Sequence, residues 1–232
     1  MIIYDGISLE AVADVKIEDV LVNSIDYEPL ARSRPIRAGA EFVRNKKGTR
    51  TIIVSFAILE QDPVIRERAI RAVSEWAKTD KEYKIELSDY PDVYLTGVCT
   101  KKPDISLRQW WQSNLQLVFT CFNDPLWNSK SEKSVACGSD FVVLGDAEPL
   151  MRIERTLSAS ASDQSYSLNG NTITFSTIPA GNLVIDLDAQ TAVVGNTDIM
   201  QYYNVNSKFL IPKTGPQKVT GTGTVKYRER WQ

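Results

Sequence analysis

Histidine is absent from the 232 residues of this chain, which excludes the catalytic triads and metal sites that depend on imidazole. The cysteines (Cys99, Cys121 and Cys137) are three in number and have no CxxC spacing. They therefore fit neither a disulfide framework nor a zinc ribbon, and we expect reduced, mostly buried side chains. No run approaches the roughly 20 apolar residues of a membrane span. The first residues also lack the basic and apolar stretches of a signal peptide, so neither a membrane partner nor a secretory leader is expected.

Charge of one sign is also lacking over the chain as a whole. The 27 Lys and Arg residues against 29 Asp and Glu residues give a formal net charge of −2. A protein with this balance has no general basic field for gripping a nucleic-acid backbone, so a sequence-specific nucleic-acid partner is not expected. With 43% hydrophobic and 24% charged residues, the composition is typical of a globular protein with a sizeable core.

Alternation of apolar and polar residues is the dominant pattern and predicts a mainly β protein. In the run 115–122, Leu115, Leu117, Phe119 and Cys121 fall on one face, and the other face consists of Gln116, Val118, Thr120 and Phe122. The β-branched run 51–58 predicts a second strong strand. Shorter strands, separated by Gly, Asn and Pro turn signals, are predicted at 83–87, 94–100, 142–144, 151–155, 172–176, 183–188 and 223–228.

One amphipathic helix interrupts the strands. Asp62 is suited to cap it, and Pro63 is suited to its first position, where the missing N–H costs nothing. Helical spacing then predicts an apolar face against a sheet, formed by Ile65, Ala69, Val73, Trp76 and Ala77.

Composition changes near residue 130, after which the chain is richer in Ser, Thr, Gly and Asn and poorer in charge. We therefore predict an α+β domain over residues 1–130, containing one helix and a projecting hairpin. A small polar linker over residues 131–144 and an all-β domain over residues 145–232 follow.

A local basic segment stands out against the near-neutral background. Residues 32–50 hold seven basic side chains and the single acid Glu41, a local balance of +6. Phe42 is the only aromatic residue among them, which argues against a nucleic-acid patch. We predict two strands around the turn at Lys46, Lys47 and Gly48, forming a charged hairpin that meets an acidic surface; a solvated arm is the alternative. The candidate contact residues are Arg32, Arg34, Arg37, Arg44, Lys46, Lys47 and Arg50.

Other chemistry-bearing patterns have simpler explanations. Residues 186–190 begin like a calcium loop but lack its glycine and its final glutamate, so a strand followed by a turn is predicted and no metal is expected. Asp89 and Asp92 flank Tyr90 and Pro91 in a typical turn sequence. No nucleophile motif and no phosphate loop is present, so we expect neither an enzyme nor a cofactor. Five tryptophans leave sugar stacking open, although most are better explained by packing, as Trp76 is on the helix face.

The order of these elements resembles the distal tail protein (Dit) family of bacteriophages with long non-contractile tails. The most specific block is Leu87, Asp89, Pro91, Asp92, Tyr94 and Gly97 in L-x-D-x-P-D-x-Y-x-x-G spacing; a second is Phe119 and Cys121 followed by Asp124-Pro125. The second half is similar to the galectin-like β-sandwich of that family. It opens at residues 145–153, turns at Asn169-Gly170 and closes at residues 225–231. The chain has no room for the inserted carbohydrate-binding modules of some relatives, so it resembles the short form.

The resemblance implies a fold and a structural role. The first domain would be a β-sandwich or split barrel that builds a hexameric ring at the virion tail tip, with the galectin-like domains pointing outward. The expected partners are other copies of the chain, the tail tube protein, a tail-associated fibre or lysin protein and a receptor-binding protein. DNA would pass through the central channel. The protein would be made in the host bacterial cytoplasm.

Three other functions stay open, because the sequence alone separates them poorly from a tail-tip hub. A carbohydrate-binding β-sandwich used in adhesion is the main alternative. A carboxylate-dependent glycosidase needs no histidine, but no acid pair is evident. A hub of a contractile injection system is the third.

Overall fold

The computed structural model describes residues 1–33, 40–60, 62–103 and 113–232; for residues 28, 31–33, 40–46, 113 and 114, only the backbone is described. The chain divides into two compact units, one of residues 1–127 with Gln232 and one of residues 128–231. The fold is mainly β, as predicted.

The first unit contains nine strands and two helices within the described residues. The strands are β1 (Ile2–Tyr4), β2 (Ile7–Ser8), β3 (Val15–Val22), β4 (Tyr27–Ser33), β5 (Ala40–Lys47), β6 (Arg50–Ile58), β7 (Tyr83–Leu87), β8 (Val93–Lys101) and β9 (Ser113–Cys121). The helices are α1 (Leu9–Val12) and α2 (Pro63–Trp76). A tenth strand, β10 (Trp127–Ser129), lies at the division between the units.

Antiparallel pairing joins seven of these strands in the order β2-β1-β7-β8-β9-β6-β3. The predicted alternation of β9 is confirmed: Leu115, Leu117, Phe119 and Cys121 are buried, and Gln116 is exposed. Such a one-sided strand places every second side chain in the core and loses that arrangement if its register slips by one residue.

Helix α2 covers the core as expected. The Oδ1 atom of Asp62 accepts hydrogen bonds from the amides of Val64 (2.7 Å) and Ile65 (3.3 Å), so the predicted cap is confirmed. Trp76 packs edge-on against Tyr4, with 5.6 Å between ring centroids. The indole N–H of Trp76 donates to the carbonyl of Ile7 at 3.0 Å. Aromatic rings with satisfied polar ends therefore join the helix to β1 and β2.

The predicted helix face needs one correction. Ile65 is 48% exposed, whereas Ile70 is buried beside Val73 and Trp76. At roughly 100° per residue, Ile65 lies only about 20° from the buried Trp76 around the helix axis, so it is on the predicted face. Ile65 lies in the first turn of α2, and this position at the end of the helix accounts for its exposure. The prediction of a single helix also misses α1, a one-turn helix capped by Ser8.

The second unit is built from ten further strands. They are β11 (Lys133–Ala136), β12 (Asp140–Val143), β13 (Ala147–Leu157), β14 (Ala161–Leu168), β15 (Asn171–Ile178), β16 (Gly181–Asp186), β17 (Thr191–Val194), β18 (Thr197–Asp198), β19 (Gly215–Lys218) and β20 (Thr224–Trp231). Six of them form the series β11-β20-β13-β16-β17-β18, while β12 pairs with β19 and β14 with β15. A separate core of its own, including Ile153, Phe175 and Ile185, fills this unit.

Residues 131–144 differ from the linker predicted for them. They contain β11 and β12, which pair with β20 and β19 of the second unit. Their small polar composition misleads because both strands are only half buried, so buried residues such as Phe141 and Val143 alternate with exposed ones. The turn predicted after the strand at 183–188 is present, with the Asp186 carboxylate accepting from the amides of Asp188 and Ala189, both at 3.0 Å.

Candidate inter-subunit surface

The basic segment forms a hairpin, but between different strands from those predicted. Strand β5 pairs with β4, from Tyr27 opposite Lys47 to Ser33 opposite Ala40. Strand β6, on the other side of the Lys46-Lys47-Gly48 turn, pairs instead with β3 and β9. Within the described part of the chain, β4 and β5 pair with no third strand. Each of the two strands therefore has one backbone edge without a partner strand among the described residues. Because an isolated two-stranded ribbon is marginally stable in water, pairing of such an edge with a further strand would stabilise it.

Gly48 explains why the chain turns between β5 and β6. Its amide donates to the carbonyl of Asp26 at 2.7 Å. A Cβ atom at this position would lie 2.8 Å from that same oxygen, closer than real side chains approach. Close backbone contact therefore requires glycine here.

The seven candidate contact residues do not share one location. Arg32 belongs to β4, and Arg44, Lys46 and Lys47 belong to β5. Lys47 is exposed. Arg34 and Arg37 lie outside the described residues. Four of the seven predicted contact residues therefore belong to the two strands of the hairpin.

Arg50 lies apart from the hairpin cations. It is the first residue of β6 and only 3% exposed. Its guanidinium lies 5.7 Å from the centroid of the Trp127 ring, a cation–π distance. Tyr90 packs in turn against Trp127, with 4.8 Å between the centroids of their rings. A buried side chain cannot reach a neighbouring molecule's surface, so Arg50 is a packing residue of its own unit.

A small cavity of about 370 Å³ adjoins Arg50 in the first unit. Asn23, Tyr27, Tyr90 and Trp127 contribute to its walls. The Tyr27 hydroxyl donates to Oε1 of Gln232 at 2.8 Å across it. The Arg50 cation also acts on Cys121, where burial raises the thiol pKa to about 12 and the positive charge opposes that rise. A thiol with so high a pKa is almost wholly protonated at neutral pH and is not a nucleophile.

An acidic strand edge was not anticipated from the sequence. Strand β3 ends the seven-strand series, because it pairs with β6 on one side and with no other strand among the residues described. Glu18 and Asp19 are exposed on it, and Asp14 is exposed just before it. The pairing slips between Ile17 and Asp19, which makes Glu18 a bulge. The available signal was the run 15–22, in which Lys16, Glu18 and Asp19 interrupt an otherwise apolar sequence of Val, Ile and Leu.

The acids suspected of turn formation have structural roles. The segment 88–92 forms the turn between β7 and β8, where the amide of Tyr90 donates to the carbonyl of Leu87 at 3.1 Å. Asp124 Oδ1 accepts a hydrogen bond from the amide of Leu126 at 3.3 Å.

Over the described ranges, no cluster of three or more Cys, Asp or Glu residues has the geometry to hold a metal ion. No helix in those ranges is both long and apolar enough to span a bilayer. Trp110 and Trp111 fall outside the described ranges.

The backbone of both units follows a fold that is present among solved structures. No protein-family model matches the chain, and no curated protein sequence does. The structure matches the crystal structure of the Dit protein of phage SPP1, whose description is a hub of the adsorption apparatus in phages that infect Gram-positive bacteria. The TM-score is 0.79 at 18% identity, covering 100% of this chain and 98% of that one. The chain has the fold of a phage Dit protein.

Two further structures, of the phage p2 baseplate in its activated conformation with Sr and with Ca, have TM-scores of 0.48 and 0.46. Both are 9% identical and cover 96% of this chain and 92% of theirs. The match to the SPP1 structure confirms, at the level of the fold and over both units, the resemblance to Dit inferred from the sequence blocks. In that Dit fold, the block from Leu87 to Gly97 forms the end of β7, the turn and the first half of β8.

Proposed function

We propose that this protein is a structural hub of a bacteriophage tail tip, in which six copies form a ring between the tail tube and a tail-associated fibre or lysin protein. The observation that carries the proposal is the Dit fold across the whole chain, with 98% of the SPP1 protein covered in return. The match extends over both units, which supports a hub with a ring-forming part and a galectin-like part. The role requires no reaction and no cofactor.

Ring formation has a simple physical requirement, and the basic hairpin is the feature of this chain that supports the proposal. Identical copies must dock through two different surfaces, front to back, until the rotation closes. A basic hairpin supplies one such surface, with Arg32, Arg34, Arg37, Arg44, Lys46 and Lys47 as the contact residues retained once Arg50 is assigned to packing. A net charge of −2 on the chain leaves little long-range repulsion between copies.

The remaining features of the proposal follow from that ring. The second units point outward and hold baseplate or receptor-binding components, and DNA passes through the central hole without sequence-specific contacts. The protein is placed at the virion tail tip after synthesis in the host bacterial cytoplasm. Negative-stain electron microscopy of the purified chain tests the ring directly. Annular particles are expected, and a chain that remains monomeric at high concentration would overturn the proposal.

Charge reversal tests the hairpin's part in the ring. The triple variant Arg44→Glu/Lys46→Glu/Lys47→Glu should fold normally by circular dichroism but lose ring formation in light scattering, because charge pairs across an interface decide which surfaces associate. The matched control is Lys208→Glu/Lys213→Glu/Lys218→Glu, which reverses three exposed cations of the second unit. The control should assemble as the wild type does. A triple hairpin variant that still forms rings would remove the hairpin from the interface.

A further inference from the structure

Strand β3 has an open backbone edge within the described part of the chain. It is eight residues long, and β6 is its one partner in the described chain. Long open edges invite pairing with another chain, and proteins usually blunt them with charges or bulges. Here Glu18 and Asp19 are exposed, the bulge falls at Glu18, and Leu21 is 50% exposed beside them. Lys16 is also exposed on this strand, so the charged residues of β3 sum to −1. The edge therefore has a small negative charge at Glu18 and Asp19, and it keeps an apolar side chain in contact with water.

The β4–β5 hairpin has the complementary properties. It is a two-stranded ribbon that forms its own sheet, and such a ribbon gains stability when a third strand or sheet joins it. Pro29 removes one amide donor from β4, whereas β5 contains no proline. Strand β5 thus offers the more complete set of backbone donors. Its charged residues are Arg44, Lys46, Lys47 and Glu41, a net charge of +2 against the acids of β3.

We infer that the β4–β5 hairpin of one copy adds through β5 to the open edge of β3 in a second copy of this chain. This addition of strands to a sheet edge uses backbone hydrogen bonds for affinity and the opposite charges of the two elements for register and specificity. Hairpin and edge are different surfaces of the same chain. The contact is therefore front to back, and it can repeat around a ring. The inference rests on the proposed ring and identifies the surface that receives the hairpin.

A charge-swap experiment on the full chain tests this pairing. In the edge variant, Glu18→Lys/Asp19→Lys, the β3 edge and the hairpin are both positively charged. In the hairpin variant, Arg44→Glu/Lys46→Glu, the β3 edge and the hairpin are both negatively charged. Each variant alone should raise the protein concentration at which half of the chains are assembled at least tenfold, as measured by mass photometry. The reason is that every contact between hairpin and edge then joins like charges. An equimolar mixture should recover wild-type assembly, since alternating copies again join opposite charges.

Matched controls separate this pairing from a general effect of charge. Glu75→Lys/Asp92→Lys reverses two exposed acids elsewhere in the first unit. It should assemble like the wild type and should not rescue the hairpin variant. Circular dichroism confirms that each variant is folded. If the edge variant does not fold, Glu18→Gln/Asp19→Asn should still raise the half-assembly concentration by a smaller factor.

Hydrogen exchange distinguishes backbone pairing from contact between side chains alone. Amides of β3 and β5 should exchange at least tenfold more slowly in assembled than in dissociated protein. Rings formed by the edge variant, failure of the mixture to recover, or unchanged β3 exchange would overturn the inference while leaving the proposed hub intact. A wild-type chain that forms no rings would overturn the hub itself.

Discussion

Single residues explain why the sequence blocks that resemble Dit take the form they do. Gly97 lies in β8, and a Cβ atom there would approach the carbonyl oxygen of Thr120 to 2.9 Å and the sulfur of Cys121 to 3.1 Å. The glycine of one block therefore makes room for the cysteine of the other. Both Cys99 and Cys121 are buried, and burial raises the pKa of each thiol, so they act as small core residues.

Glu82 is the residue on which we expect the end of β9 to depend. Its Oε1 atom accepts hydrogen bonds from the amides of Phe122 (2.7 Å) and Asn123 (3.1 Å), and its Oε2 atom accepts one from Nδ2 of Asn123 (2.7 Å). Glu82→Ala should lower the free energy of unfolding by about 1 kcal/mol, because charge-assisted bonds are lost and water replaces them only in part. Urea unfolding measures the change.

A graded pair of variants identifies the cause at this site. Glu82→Gln keeps one oxygen acceptor and should lose less stability than Glu82→Ala. The exposed Glu75 of α2 provides a control, because Glu75→Ala should change stability by less than about 0.5 kcal/mol. Equal losses for Glu82→Ala and Glu75→Ala would show that the Glu82 hydrogen bonds contribute little.

At the scale of the elements, side chains on the sheet of the second unit connect neighbouring strands by charge. On β13, Nε of Arg152 lies 2.6 Å from Oε1 of Glu154, and from β20 Nζ of Lys226 lies 2.7 Å from Oε2 of the same carboxylate. Arg152 also binds Glu132 through two hydrogen bonds of 2.8 and 2.9 Å. Such networks contribute more than isolated surface pairs because each ordered side chain serves several contacts.

This network predicts a pH-dependent stability. The hydrogen bond from Lys226, followed by that from Arg152, holds the pKa of the Glu154 carboxyl below its usual range. A carboxyl whose folded pKa is lowered stabilises the protein above the unfolded pKa of about 4.3, and that contribution is lost as the pH falls through the folded pKa. Glu154→Gln should therefore cost about 0.5 kcal/mol at pH 7, and the difference from wild type should shrink below about pH 4.

Urea unfolding at pH 7, 5, 4 and 3 measures this difference. At neutral pH, 1 M NaCl should reduce it too, because salt screens partly exposed charges. A difference that stays constant over all four pH values would contradict the assigned ion pairs and point to loss of packing instead.

At the scale of the whole molecule, the chain builds two separate cores. Val54 belongs to the core of the first unit and Ile185 to that of the second, and both are fully buried. Val54→Ala and Ile185→Ala should each destabilise the protein by about 2 kcal/mol, from lost apolar burial and the cavity left behind. The double variant should lose the sum within about 0.5 kcal/mol, since distant sites without shared partners are additive.

Hydrogen exchange followed by mass spectrometry measures each unit separately. Val54→Ala should increase exchange in β6, which contains the substitution, and in β9, which pairs with it. Ile185→Ala should do the same in β16, which contains the substitution, and in β13, which pairs with it. A double variant much more or less stable than the sum would show that the two cores share a cooperative structure.

Local patterns in the sequence determined the elements whose causes are local. The alternation from Leu115 to Cys121 identified β9 and its buried face, and Asp62 with Pro63 located the start of α2. These signals depend only on backbone period and capping, which short stretches of chain decide by themselves. The blocks around Leu87 and Phe119 also identified the fold, because turn residues and close-packed glycine recur at fixed offsets.

Tertiary structure alone decided which strands pair and which charges meet. The turn at Lys46 to Gly48 suggested that β5 pairs with β6, yet β5 pairs with β4 and β6 joins β3 and β9. Arg50, one cation among seven in the sequence, is buried against Trp127. Strand pairing and burial depend on contacts between residues far apart in the chain, and composition or period within one segment carries no information about them.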